Sequence, residues 1–106
     1  MTNKSFRKGY NFELRVKKYL EKKGYLVIRQ GGSKFPDLIA IPGRDIKKSQ
    51  VLAIECKTDI RNLRTEERFG LKALEDRFRL KAIVATKEKC RLVFLSPFNV
   101  YLERAI

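Results

Sequence analysis

Pro36-Asp37-Leu38-Ile39-Ala40-Ile41 and Val51-Leu52-Ala53-Ile54-Glu55-Cys56-Lys57 are two apolar runs, the first opening on an acid and the second closing on an acid and a lysine. The polar turn between them begins at Pro42-Gly43-Arg44-Asp45 and ends at Gln50, too short to hold a crossover helix. The spacing therefore predicts an antiparallel hairpin, with Asp37 at the start of one strand beside Glu55 at the end of the other. Side chains alternate across a strand, so Glu55 and Lys57 share one face while Cys56 points to the opposite one. The second run is apolar on both faces until its end, the pattern of a central strand.

Working outward, residues from about Ser5 to Lys23 carry apolar groups at helical spacing, with Phe12, Val16, Tyr19 and Leu20 on one side and Gly24 as a C-terminal cap. Glu13 lies near this apolar stripe among mostly positive neighbours, and a lone acid there needs a partner. Residues 25–29 read as a strand and 30–36 as a loop whose glycines allow close approach of backbone to a ligand. After a basic connection at 58–62, Thr65-Glu66-Glu67 opens a second helix, with the threonine hydroxyl as cap and acids at the positive end of the dipole. Leu71, Leu74 and Phe78 form its expected core stripe, and Phe69 with Ala73 makes a second apolar pair off that stripe. Two strands, 81–86 and 91–95, follow about a charged turn at 87–90, and 97–104 is expected to form a short terminal helix. The whole predicts one α/β domain spanning residues 1–106, a central mixed β-sheet flanked by helices.

Charge narrows the function. The chain has 25 Lys plus Arg against 12 Asp plus Glu, a formal net charge of +13, and no histidine. Such an excess serves phosphate contact and the steering of polyanions. Lys4, Arg7, Lys8, Arg15, Lys17, Lys18, Lys22 and Lys23 concentrate much of it on the first helix, the leading candidate for an electrostatic footprint on nucleic acid. No apolar run nears the length of a membrane span, and the N-terminal residues lead into a charged helix rather than a signal-peptide core. Membrane contact is therefore not expected, and an intracellular, cytoplasmic location is. Two cysteines and no histidine cannot complete a zinc site within one chain. The missing imidazole also excludes His-based nucleases, Ser-His hydrolases and Cys-His proteases.

What remains is carboxylate, lysine, hydroxyl and metal. Clustered carboxylates repel one another and favour a hard cation, and Mg2+ accepts few protein ligands while keeping several waters. A lysine beside it can position a water and meet charge growing on a scissile phosphate. A polyanion-attracting protein with one concentration of acids thus reads as a metal-assisted phosphodiesterase. The bland alternative is a structural ion pair of Lys57 with Glu55 or Asp37.

From Arg7-Lys8-Gly9 through Glu13, Gly24-Tyr25, Gly32-Ser33, Pro36-Asp37-Leu38-Ile39-Ala40 and Ala53-Ile54-Glu55-Cys56-Lys57, the chain resembles the archaeal-type Holliday junction resolvases of the PD-(D/E)xK nuclease superfamily. The resemblance implies a restriction-endonuclease-like core and catalytic roles for Glu13, Ser33, Asp37, Glu55 and Lys57, with Glu13, Asp37 and Glu55 holding Mg2+, for which Mn2+ would substitute. It further implies a homodimer that makes paired nicks in a four-way DNA junction. The second helix departs from the resemblance: such enzymes commonly carry a glutamine there, and this chain has Glu66-Glu67-Arg68. Candidate phosphate contacts are Arg7, Lys8, Arg15, Arg29 and Lys34, and Phe69 with Ala73 is the candidate dimer contact. Two other readings stay open, a nuclease of the same superfamily acting on other DNA structures and a basic junction-binding module without catalysis. Plentiful Lys, Arg and Glu with scarce Met, Cys and His also fit the composition of heat-loving organisms.

Overall fold

The structure, a computed structural model, describes residues 4–31, 34–46 and 50–102, with backbone alone for 4–6. Ser33 and the preceding Gly32 lie outside the described residues, as does the end of the expected terminal segment. Among the described residues eight elements follow one another: α1 (Lys4–Lys22), β1 (Tyr25–Arg29), β2 (Leu38–Pro42), β3 (Val51–Cys56), a 3-10 turn (Ile60–Asn62), α2 (Thr65–Arg77), β4 (Leu80–Glu88) and β5 (Arg91–Leu95). The five strands form one sheet in the order β1-β2-β3-β4-β5. β3 pairs parallel with β4 and every other pairing is antiparallel, so the mixed sheet has the expected form. Parallel neighbours need a long connection, and the 3-10 turn and α2 supply it.

Gly24, two residues past α1, has a φ of +103° that favours glycine. Gly24 O then accepts from Gly43 N at 3.0 Å, and a Cβ on Gly43 would stand 2.8 Å from that oxygen, so the start of β1 and the end of β2 meet where no side chain fits. On one face of the sheet, Phe12, Val16 and Leu20 of α1 pack on Val27, Leu38, Ala40, Leu52, Ile54, Ile83 and Ala85. On the other, Leu71 of α2 joins Leu63, Ala82, Val84 and Leu95. β3 and β4 are buried on both sides for this reason, and β3 carries the site into the middle of the molecule.

Several expectations need correction. Thr65 is the first helical residue rather than the cap. Arg64 is the N-cap, and its N–H donates to Glu67 Oε1 at 2.9 Å. Phe78 ends α2 and is 55% exposed, so the buried contact of that helix is Leu71, with Leu74 half-buried. The turn between the last strands is only Lys89-Cys90, with φ of 49° and 67°, as a two-residue hairpin of the primed type demands, so Lys87 and Glu88 stay in β4. No terminal helix forms over the described residues up to Leu102. Ser96 Oγ accepts from Phe98 N and Val100 N, Ser96 N donates to Val100 O, and Tyr101 bridges to Leu95. A serine side chain that takes the local N–H groups competes with a helix for them.

Candidate active site

The hairpin register puts Leu38 opposite Ile54, which brings the residues just before and after them together at one end of the sheet. Asp37 N donates to Glu55 Oε1 at 3.2 Å, and Cys56 N donates to Asp37 Oδ2 at 2.8 Å. Each acid thus binds the backbone of the other's strand. Lys57, just past β3, is held by its own N–H to Ala85 O at 2.9 Å, and its ammonium lies 3.8 Å from Glu55 Oε2. Asp37, Glu55 and Lys57 therefore converge as the spacing predicts, while the Cys56 side chain joins the α1-side core.

The electrostatics fit crowded acids. Glu55 is 5% exposed. Burial first, then the charge of Asp37 and hydrogen bonds with Glu67 and Asp37, push its carboxyl far above the usual range, against the pull of Lys57. The Cys56 thiol is raised by burial and then by Asp37, Glu13 and Glu55, so one group feels all three acids. Such a thiol stays protonated and is no nucleophile.

Glu13 finds its partner in Arg29, at 3.4 Å, and Arg29 also lies over the Tyr10 ring at 4.7 Å. Burial and the Asp37 charge raise Glu13, and Arg29 opposes them. Among the described residues no three His, Cys, Asp or Glu side chains stand as a ready metal cage. The donor chemistry nonetheless suits a hard cation at Asp37 and Glu55: both offer oxygens, and the charge of Asp37 helps raise the Glu55 carboxyl, a repulsion that a bound cation would relieve.

Of the candidate phosphate contacts, Arg7, Lys8 and Lys34 are exposed. Lys8 approaches the β3–α2 connection, where its charge helps hold Asp59 low, after the larger effect of hydrogen bonds from Arg61. Arg15 donates to Cys90 O at 2.9 Å and Arg29 is engaged with Glu13, so both serve the fold as well. Phe69 and Ala73 are exposed on α2, and the Phe69 ring meets Phe98 edge-on at 5.5 Å.

Two features escaped the sequence reading. Arg61 and Arg64, 86% and 70% exposed, stand in the connection that follows Lys57. Glu67 is buried, and its Oε2 lies 3.0 Å from Lys57 Nζ, closer than Glu55. The spacing of Arg64 and Glu67 at the N-cap and third helical position was the available signal.

A family model described as archaeal Holliday junction resolvase (Hjc) matches residues 4–106. The chain belongs to the archaeal Holliday junction resolvase family. This resolvase is 40% identical over 96 residues to the crossover junction endodeoxyribonuclease Hjc of Methanocaldococcus jannaschii, covering 88% of this chain and 68% of that one. Among solved structures it is similar to Hjc of Archaeoglobus fulgidus, a Holliday junction resolvase, with a TM-score of 0.68 and 30% identity over 86% of this chain and 74% of that one. The sheet and helices of the resolvase are thus those of the restriction-endonuclease-like core that the sequence implied.

Proposed function

We propose that this chain resolves four-way DNA junctions by Mg2+-dependent hydrolysis of paired phosphodiesters at the site built by Asp37, Glu55 and Lys57. Family membership supports the nuclease activity and the junction substrate. The observation that carries the site is the exchange of hydrogen bonds between Asp37 and the Glu55-Cys56 strand, which fixes two acids beside one ammonium. Asp37 and Glu55 would hold the cation, with Glu13 adjoining, and Mn2+ would substitute. A bound divalent ion would supply Lewis acidity to the attacking water and to the scissile phosphate there. Lys57 orients that water and donates to a non-bridging phosphate oxygen. Arg7, Lys8 and Lys34, with Arg61 and Arg64, grip the flanking phosphates.

A homodimer suits a substrate that needs two cuts related by symmetry. Its support is apolar surface left bare: Phe69 on α2, and Leu26, Ile28 and Ile41 on the part of the sheet face opposite α1 that α2 leaves uncovered. Acting on cellular DNA, the enzyme would work inside the cell. The test is cleavage of an end-labelled four-way junction and a linear duplex of the same arms, with Mg2+ or chelator. Paired nicks near the branch are expected from the wild type with metal alone, and none from Asp37→Asn, which still binds the junction. Equal cutting of the duplex would reject junction selectivity.

A further inference from the structure

A lysine at the end of a strand has a long, rotatable stem, and holding its ammonium in one place costs side-chain entropy. Something must fix it. The nearer of the two carboxylates that pair with Lys57 Nζ is Glu67, its Oε2 at 3.0 Å, against 3.8 Å for Glu55 Oε2. Glu67 is itself well anchored. Its Oε1 accepts from Arg64 N at 2.9 Å and lies 3.4 Å from Arg64 Nε, and its side chain is only 9% exposed. One turn further along α2, Leu71 is fully buried against Ala82 and Val84, which seats this end of the helix on the sheet.

We infer that Glu67 is a positioning residue for Lys57: it holds the ammonium over the reacting phosphate and keeps it from closing onto Glu55. Among the described residues, the other carboxyl group paired with Lys57 Nζ is Glu55, less than 1 Å farther away. A direct Lys57–Glu55 pair would withdraw the ammonium from the phosphate and occupy the Glu55 oxygens that face Asp37. The inference rests on the reading of Lys57 as a catalytic group. Displacements on this scale cost about 100-fold in rate.

The test is a double-mutant cycle, read as single-turnover cleavage of a pre-bound four-way junction with saturating Mg2+, alongside junction affinity measured in chelator. Glu67→Ala is expected to slow cleavage about 10- to 100-fold while affinity stays within about twofold. In a Lys57→Ala background the same change is expected to cost nothing further, because Glu67 acts through the missing ammonium. Should Glu67→Ala fail to fold, the cycle is run with Glu67→Gln, which keeps an oxygen to cap Arg64 N. Losses that multiply in the double variant would assign Glu67 a purely structural role and overturn the inference. Wild-type rate in Glu67→Ala with a slow Lys57→Ala would overturn it alone, whereas wild-type rate in Lys57→Ala would remove the catalytic reading together with it.

Discussion

Glu55 is the residue on which the proposed chemistry of the site turns, because it is buried between Asp37, Glu67 and Lys57. Its carboxyl is pushed up to about 9 from the ordinary 4.5, first by burial and then by the Asp37 charge. Between those values the folded chain keeps a proton that the unfolded chain releases, so the contribution of Glu55 to stability is fully present below pH 4.5 and is lost as pH rises toward 9. Glu67 moves the other way, to about 2: burial alone would raise it, but the Arg64 N–H, Glu55 and Lys57 together hold it down. Its effect on stability is complete above 4.5 and lost only in strong acid, outside the Glu55 window. The metal-free protein is thus expected to melt at progressively lower temperature from about pH 5 to 8, with a slope up to about 1.4 kcal/mol per pH unit for one proton. Glu55→Gln should flatten that slope, and a parallel slope in the variant would show that another group carries it. The Asp37–Glu55 meeting was legible in the sequence because turn length and strand alternation fix it. That Glu13 needed a partner was legible too. That the partner is Arg29 was not, since it depends on how α1 lies across β1.

At the scale of elements, α2 turns one face to β4 through Leu71 and leaves another bare. Phe69 remains 60% exposed even with Phe98 against it. Phe69→Glu is expected to sediment near the 12.4 kDa of one chain at low micromolar concentration, and the wild type, if it forms the proposed dimer, near twice that. A dimeric variant would place the interface elsewhere. Helix α2 also marks where sequence reading stopped. Its helical period announced it, but Glu67 looked like one of two acids suited to a helix dipole. Only the crossover from β3 to β4 brings its first turn back over the end of β3, a long-range consequence of parallel pairing that local pattern does not contain. The terminal segment departed from expectation for a local reason, since Ser96 captures the N–H groups a helix would have used.

For the whole molecule, the net charge of +13 sets long-range attraction to DNA, while individual basic residues divide the work. Arg15 and Arg29 are tied into the fold, and Arg7, Lys8 and Lys34 are exposed. Neutralising those three is expected to reduce the magnitude of the log-log salt slope of junction binding by roughly 3, about 0.9 for each phosphate that the protein no longer neutralises. An unchanged slope would move the footprint to other surfaces, with Arg61 and Arg64 next in line.

The bonds that join Asp37 to the strand of Glu55 have one more consequence. They are at once the fastening of the hairpin and the frame of the proposed cutting site. A slip of one residue between β2 and β3 would turn the buried side chains outward and part the two acids in the same movement. A wrongly assembled copy would therefore be harmless to the DNA around it, its blade coming apart with its handle.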